Sequence, residues 1–151
     1  GSSDVLLQAS TFDGKREIDG TKLARLDTLT GRARSLSEGA PKHVTRWVVD
    51  RQGRPTIVTT WHEGRFRAYS KSSAVAEWEK WQDADGFRDS YVVPYWIGFD
   101  GQLLVLARHR NDTSALYAID AKTHQPKPEP MISLKGYGLI YQFHPFVNAL
   151  N

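Results

Sequence analysis

The chain has 151 residues, of which 40% are hydrophobic, 11% aromatic and 25% charged, with a formal net charge of +3. A chain of this length can form one ordinary domain with a buried core but is too short for two. Its composition is not that of a disordered chain. The 20 Lys and Arg residues are interleaved with 17 Asp and Glu residues and never form a run of five. The balance therefore argues against a nucleic-acid partner.

The chain contains no cysteine, so it can form neither a disulfide nor a thiolate zinc site. No apolar stretch approaches the roughly 20 residues that span a membrane, and no membrane partner is expected. The opening residues 1–3 (GSS) include no Met and are interpreted as a tag-cleavage scar. Localisation stays open between a bacterial cytoplasm and a periplasm.

Short apolar runs rich in Val, Ile, Leu, Trp and Tyr, each ended by a Gly or Asp turn, predict an all-β chain. Residues 73–80 could form a helix, but a strand is preferred there. Tight turns that pair an acid with a glycine are predicted at 27–31, 50–53, 63–64 and 100–101. In chain order, the predicted strands cover residues 5–7, 22–27, 44–49, 56–61, 66–70, 78–81, 94–99, 103–107 and 115–120.

The strands fall into two kinds. Those at 56–61 and 103–107 are apolar nearly throughout, which predicts burial of both faces. Those at 22–27 and 66–70 are mixed, so one face of each should meet water. Inner and outer strands of stacked sheets differ in this way.

Two sequence motifs recur along the chain. LARLDTLTG at 23–31 returns as LYAIDAKTH at 116–124, and both read Leu, two residues, an aliphatic, Asp, two residues, Thr. The second motif places Trp47, and 49 positions later Trp96, ahead of an Asp-Gly-type turn. A repeat length of about 40–50 residues, with four strands in each repeat, is typical of propeller blades. We therefore predict a partial β-propeller of about three four-stranded antiparallel blades, with a β-sandwich as the alternative.

This prediction divides the chain into residues 1–3 (scar), 4–136 (blades) and 137–151 (an unassigned tail or the start of a further blade). Within the blades, a partial one reaches about residue 36, and full ones cover about 43–83 and 92–134. Propellers need at least about four blades to close a ring, so the chain is expected to be a piece of a longer propeller. Open apolar faces and free strand edges predict self-association of such a fragment.

The segments LARLDTLTG (23–31), RWVVDRQGRP (46–55) and RHRNDTSALYAID (108–120) resemble the N-terminal propeller of the prolyl oligopeptidase family of serine peptidases. The bacterial dipeptidyl-aminopeptidase and acylaminoacyl-peptidase-like branch is the most similar. Blades of this family carry a Tyr-x-x-Asp-x-x-Thr-Gly outer hairpin and an Asp-Thr-x-Ala-Leu-Tyr strand entry, which here reads DTSALY at 112–117. The resemblance covers roughly residues 4–136.

The resemblance implies a non-catalytic segment that gates or scaffolds peptide access to a separate C-terminal α/β-hydrolase domain of the same parent chain. Peptide substrate would then be a partner only indirectly. The alternative is a stand-alone propeller-type binding module for protein or glycan.

No catalytic residue is predicted, because the chain has no Gly-x-Ser-x-Gly elbow. The chain itself is therefore not expected to be an enzyme, although its parent is expected to be a serine peptidase. The adjacent glutamates that anchor a substrate amine in the dipeptidyl-peptidase branch have no match. None of the five histidines lies three to five residues from another, so neither a metal site nor any cofactor is predicted.

One polar cluster between two predicted strands carries the only site prediction. It is interpreted as lining a channel or facing a partner, with a solvated hairpin loop as the competing interpretation. Its members are Arg108, His109, Arg110, Asn111 and Asp112.

The five tryptophans are interpreted mainly as packing residues. Trp47 and Trp96 recur in register and are predicted to be equivalent core residues of successive blades. Trp61 is placed at the end of a buried strand. Trp78 and Trp81, on an outer strand, are the candidates for exposure.

Overall fold

A computed structural model describes residues 3–108, 113–120, 124–133, 135 and 137–139. These residues form ten strands in three antiparallel sheets, and none of them is helical. None of the described residues therefore belongs to a helix that could cross a lipid bilayer. The strands are β1 (Asp4–Phe12), β2 (Ile18–Asp27), β3 (Ala33–Ser35), β4 (Val44–Val49), β5 (Pro55–His62), β6 (Arg65–Ser70), β7 (Glu79–Asp85), β8 (Val93–Ile97), β9 (Leu103–Ala107) and β10 (Ala115–Ala118).

The sheets follow the chain in order. The first has the order β1-β2-β3, the middle one β4-β5-β6-β7, and the third β10-β9-β8. A bridge between Leu116 and Ile132 continues the third sheet beyond β10. The all-β prediction is confirmed, and within the described residues the three sheets do not close into a ring.

Two cores hold the sheets together. Leu23 of β2 packs with Trp47 of β4 and Val58 of β5, which joins the first sheet to the middle one. A second core, around Val105 and Tyr117 of the third sheet, takes in Trp81 of β7 in the middle sheet. The middle sheet therefore lies between the other two, and its inner strand β5 is buried on both faces over residues 57–60.

The first sequence motif is repeated in the backbone. Asp27 and Asp120 each donate their N–H to the carbonyl five residues on, at 2.9 Å. The residue four positions on returns its own N–H to the aspartate carbonyl at 2.8 or 2.9 Å. That residue is Gly31 in one turn and His124 in the other, with φ of 70° and 55°. The same two backbone hydrogen bonds thus recur after β2 in the first sheet and after β10 in the third.

The second motif also recurs, but one residue out of the predicted alignment. In the β4–β5 turn, the Asp50 N–H donates to the carbonyl of residue 54 and Gly53 returns its N–H to Asp50, both at 2.9 Å. In the β8–β9 turn, Gly98 and Gly101 take the places of Asp50 and Gly53. This alignment puts Tyr95, rather than Trp96, opposite Trp47.

The predicted equivalence of Trp47 and Trp96 is therefore wrong. Trp47 is 3% exposed, whereas Trp96 is 37% exposed and pairs with Leu104. A bulge between Pro94 and Trp96 changes the register of β8, and Pro94 is the fully buried β8 residue that pairs with Val105. A bulge inserts one residue and so moves the following side chains to the opposite face of the strand.

The predicted exposure of Trp78 and Trp81 is also wrong. Both are half-buried, since Trp78 packs edge-on to Trp47 with ring centres 6.3 Å apart and Trp81 packs in the second core. Trp61, predicted at the end of a buried strand, is exposed and contacts Phe87. No helix forms at 73–80, where a turn leads into β7 at Glu79.

Candidate functional site

The two edge strands β4 and β8 lie against each other across the seam between the middle and third sheets. Successive side chains of a strand point to opposite faces, so the burial of Trp47 toward the first sheet directs Arg46 toward the third. Nη2 of Arg46 donates to the carbonyl of Tyr95 at 3.3 Å, and its guanidinium lies 4.8 Å from the centre of the Tyr95 ring. One arginine thus ties backbone and ring of the neighbouring sheet.

A second arginine repeats this contact at the adjoining turns. Nη1 of Arg51, in the β4–β5 turn, donates to the carbonyl of Phe99 at 3.2 Å, with the guanidinium 5.7 Å from the Phe99 ring centre. Trp96 meets the same ring edge-on at 5.6 Å. The edge surface is defined here as Arg46, Arg51, Tyr95, Trp96 and Phe99.

The edge surface combines exposed aromatic faces with positive charge. Tyr95, Trp96 and Phe99 are all exposed. A carbonyl neutralises no charge, so Arg51 keeps its full positive charge while the Phe99 carbonyl fixes its position. Aromatic faces and guanidinium groups suit an extended peptide, whose aromatic side chains stack and whose carboxylates pair with arginine.

A separate charged group lies on the outer strands β6 and β7. Asp83 accepts hydrogen bonds from Lys80 Nζ at 2.9 Å and Arg67 Nε at 3.2 Å, and Arg65 binds it as well. Hydrogen bonds from Lys80 first, and then from the two arginines, hold the pKa of the Asp83 carboxyl well below its usual range. The two arginines are therefore paired with an acid and do not form a phosphate-binding patch.

The predicted polar cluster is described only at its first member. Arg108 is exposed immediately after β9. His109, Arg110, Asn111 and Asp112 lie outside the described residues, so their predicted role stays a prediction.

The sequence reasoning missed the edge surface. The segment RWVVDRQGRP contains both arginines and carries part of the resemblance, but nothing in its spacing indicates that they reach the next sheet. The available signal was the alternation in β4: a buried Trp47 leaves its neighbour Arg46 on the opposite face. The contact of Arg51 with Phe99 could not be predicted from the sequence, because it depends on how two turns of different sheets meet.

No family model, curated protein or solved structure matches the chain. The fold and the edge surface define a class of protein, namely an all-β chain of successive antiparallel sheets with an aromatic and cationic edge.

Proposed function

We propose that this chain is a non-catalytic segment of a partial β-propeller that gates or scaffolds peptide access to a separate α/β-hydrolase domain in a prolyl-oligopeptidase-like serine peptidase. The observation that carries the proposal is the repetition of two turns, one in the first and third sheets and the other in the middle and third sheets. The turns at Asp27 and Asp120 share one hydrogen-bond pattern, and those at Asp50 and Gly98 share another. Repeated units of this kind favour a propeller over a sandwich, in which no turn has reason to recur.

The edge surface gives the proposal a contact for peptides. In a propeller, the first strand of each blade lines the central channel. β4 and β8 are the first strands of their sheets and also edge strands, so the contact of Arg46 with Tyr95 between them would lie beside that channel. A peptide moving toward a hydrolase domain would meet exposed aromatic rings and fixed guanidinium groups there.

A second function is favoured by the exposure of Tyr95, Trp96 and Phe99 in one place. Adjacent aromatic faces also bind sugars and partner proteins, so a stand-alone binding module for protein or glycan is the alternative. In that case the edge surface itself would be the binding site, with no hydrolase domain behind it.

The reading frame of the parent gene separates the two functions. The peptidase proposal expects a Gly-x-Ser-x-Gly elbow several hundred residues downstream, followed by Asp and His in that order. A stop codon close after residue 151 would contradict it and favour the binding module.

The chain alone should not react with an organophosphonate serine probe, because it has no nucleophile elbow. Mass spectrometry of the intact chain after incubation measures this, with a known serine hydrolase as the positive control. Stoichiometric labelling of any serine in this chain would overturn the non-catalytic assignment.

A further inference from the structure

The strand β1 forms one edge of the first sheet. It pairs with β2 from Asp4 to Thr11 without a register shift, and among the described residues no strand pairs with its other side. The turn that recurs in the first and third sheets follows β2 in one and β10 in the other, so β1 takes the place that β9 has. In the third sheet β9 has a strand on each side. The first sheet therefore has room for one more strand, next to β1.

The hydrogen bonds of β2 show which backbone groups of β1 face outward from this edge. The C=O and N–H of Leu23 are bonded at 2.8 and 2.7 Å to the residues that directly follow β3. Both groups thus point away from β1. Because residues opposite each other in an antiparallel pair point their backbone groups either at each other or apart, Gln8, the partner of Leu23, directs its N–H and C=O away from β2. Alternation along the strand gives Leu6 and Ser10 the same direction.

The side chains of β1 do not protect this edge. Residues 5–12 (VLLQASTF) include neither a charge nor a proline, and residues 7–10 are exposed. Charged side chains, prolines, bulges and short length are the means by which proteins keep edge strands from pairing. Other edge strands of the chain have them: β7 carries four charges in seven residues, β4 and β8 are bulged, and β3 has only three residues. By contrast, β1 is a long, regular and neutral edge.

The sequence of β1 is complementary to itself in an antiparallel pair. With Leu6 of each copy opposite Gln8 of the other, the outward backbone groups of the two strands meet, and Leu7 lies opposite Leu7 on the two-fold axis. Leu7 is 42% exposed on the sheet face turned away from the middle sheet, and its counterpart would cover it. Val5 then lies opposite Ala9 on this same face, and within the paired strands no charge lies opposite a like charge.

We propose that two copies of this chain dimerise by antiparallel pairing of their β1 strands, which joins their first sheets into one continuous sheet. The contact uses the same residues on both copies, so it closes at a dimer and leaves neither β1 edge open. Its hydrogen bonds are between backbone groups, and the side chains of Leu7 and Val5 set the register. The dimer does not depend on the proposed peptidase function.

Single cysteines test the register, since the chain has no cysteine of its own. Leu7→Cys places two thiols at a non-hydrogen-bonded pair, where the Cα atoms lie about 4.5 Å apart, within the range of a disulfide. Mild oxidation should convert most of this variant to a covalent dimer, measured by non-reducing gel electrophoresis. Ala9→Cys is the matched control on the same face. Its two thiols would be four residues out of register, about 13 Å apart, and should not cross-link.

Gln8→Pro tests the backbone contact. Proline removes an outward N–H but is tolerated where the N–H of an edge strand faces solvent, so the first sheet should still fold, which circular dichroism verifies. Light scattering coupled to size exclusion should find the unchanged chain dimeric and the association of Gln8→Pro at least about tenfold weaker, because the ladder is cut at its centre. Gln8→Thr keeps the N–H and is the matched control, expected to dimerise like the unchanged chain.

Three results would overturn the proposal. The first is a monomeric unchanged chain. The second is a folded Gln8→Pro variant that associates as Gln8→Thr does, which would mean that the copies meet through another surface, such as the open face of the first sheet. The third is equal cross-linking of Leu7→Cys and Ala9→Cys, because no fixed register would then exist. If Gln8→Pro does not fold, the comparison of the two cysteine variants decides.

Discussion

Two tryptophans in neighbouring sheets differ in what their side chains contact. Trp47 packs with Leu23 and Val58, and its Nε1–H donates to the Thr21 hydroxyl at 3.1 Å. Trp96 contacts Phe99 and stays partly in water. Loss of the Trp47 side chain would therefore leave a cavity and remove the donor that Thr21 accepts from.

Trp47→Ala should lower the free energy of unfolding by about 3–5 kcal/mol, the range for truncation of a buried Trp. Trp96→Ala serves as the matched comparison and should cost less than half as much, since its ring buries less area. Urea denaturation followed by fluorescence measures both variants. Equal losses would contradict the register that the bulge in β8 imposes.

The burial of a single side chain could be predicted only where the strand register could also be predicted. Trp47 lies in β4, whose bounds the sequence predicted without error. Its predicted burial is confirmed, although the recurrence with Trp96 on which that prediction rested is not. Trp96 follows a bulge, which leaves no mark in the alternation of apolar and polar residues. Trp78 and Trp81 were assigned to an outer strand, but packing against a neighbouring sheet buries them as well.

At the scale of elements, the features that recur between sheets are the turns and the residues that form them. The β2–β3 turn depends on Asp27, whose carboxylate accepts hydrogen bonds from the Thr30 hydroxyl and from the N–H groups of Leu29 and Thr30. The Thr30 hydroxyl first, and then those N–H groups, lower the pKa of the Asp27 carboxyl. Gly31 closes the turn with φ of 70° and has nothing within 4 Å of a Cβ at its position.

Gly31→Ala should lower the free energy of unfolding by about 1–2 kcal/mol, because a Cβ disfavours the left-handed conformation even where space is open. Gly14→Ala is the matched control: its surroundings are equally open and its φ is not positive. Thermal unfolding should find the Gly14 variant unchanged or slightly stabilised. Equal effects at the two positions would mean that backbone conformation does not limit the turn.

Strands with strong alternation or long apolar runs were predictable, whereas short polar ones were not. β9 has the predicted bounds, and β5 differs by one residue at each end. β3 was missed, because Ala33–Ser35 is three exposed residues paired to β2 with no apolar pattern. The stacking of the His43 and His62 rings, whose centres lie 3.8 Å apart, was missed for a related reason, since spacing along the chain does not show which residues strand pairing brings together.

At the scale of the whole molecule, the first sheet has one face with no further sheet packed on it among the described residues. Strand pairing places Val5 opposite Leu26 and Leu7 opposite Ala24, on the face away from Leu23. Leu7 is 42% exposed there. An apolar sheet face of this kind favours contact with a second copy of the chain.

The chain should therefore self-associate at micromolar concentration, and Leu7→Lys should shift it toward the monomer. Light scattering coupled to size exclusion measures both against the monomer mass of 17.1 kDa. Leu29→Lys is the control, because Leu29 is 84% exposed in a turn rather than on the sheet face. A cooperative monomer in the unchanged chain would contradict this and favour a self-contained β-sandwich.

The arginine contacts between sheets have a consequence for how the sequence can vary. Arg25 donates to the carbonyl of Gln52, Arg46 to that of Tyr95, and Arg51 to that of Phe99. Every amino acid supplies a main-chain carbonyl, so substitution of an acceptor residue leaves the acceptor atom in place, whereas substitution of the donor arginine removes the bond. Mutational tolerance across each seam is therefore one-sided, and homologous chains should keep the arginines while the residues whose carbonyls they bind diverge.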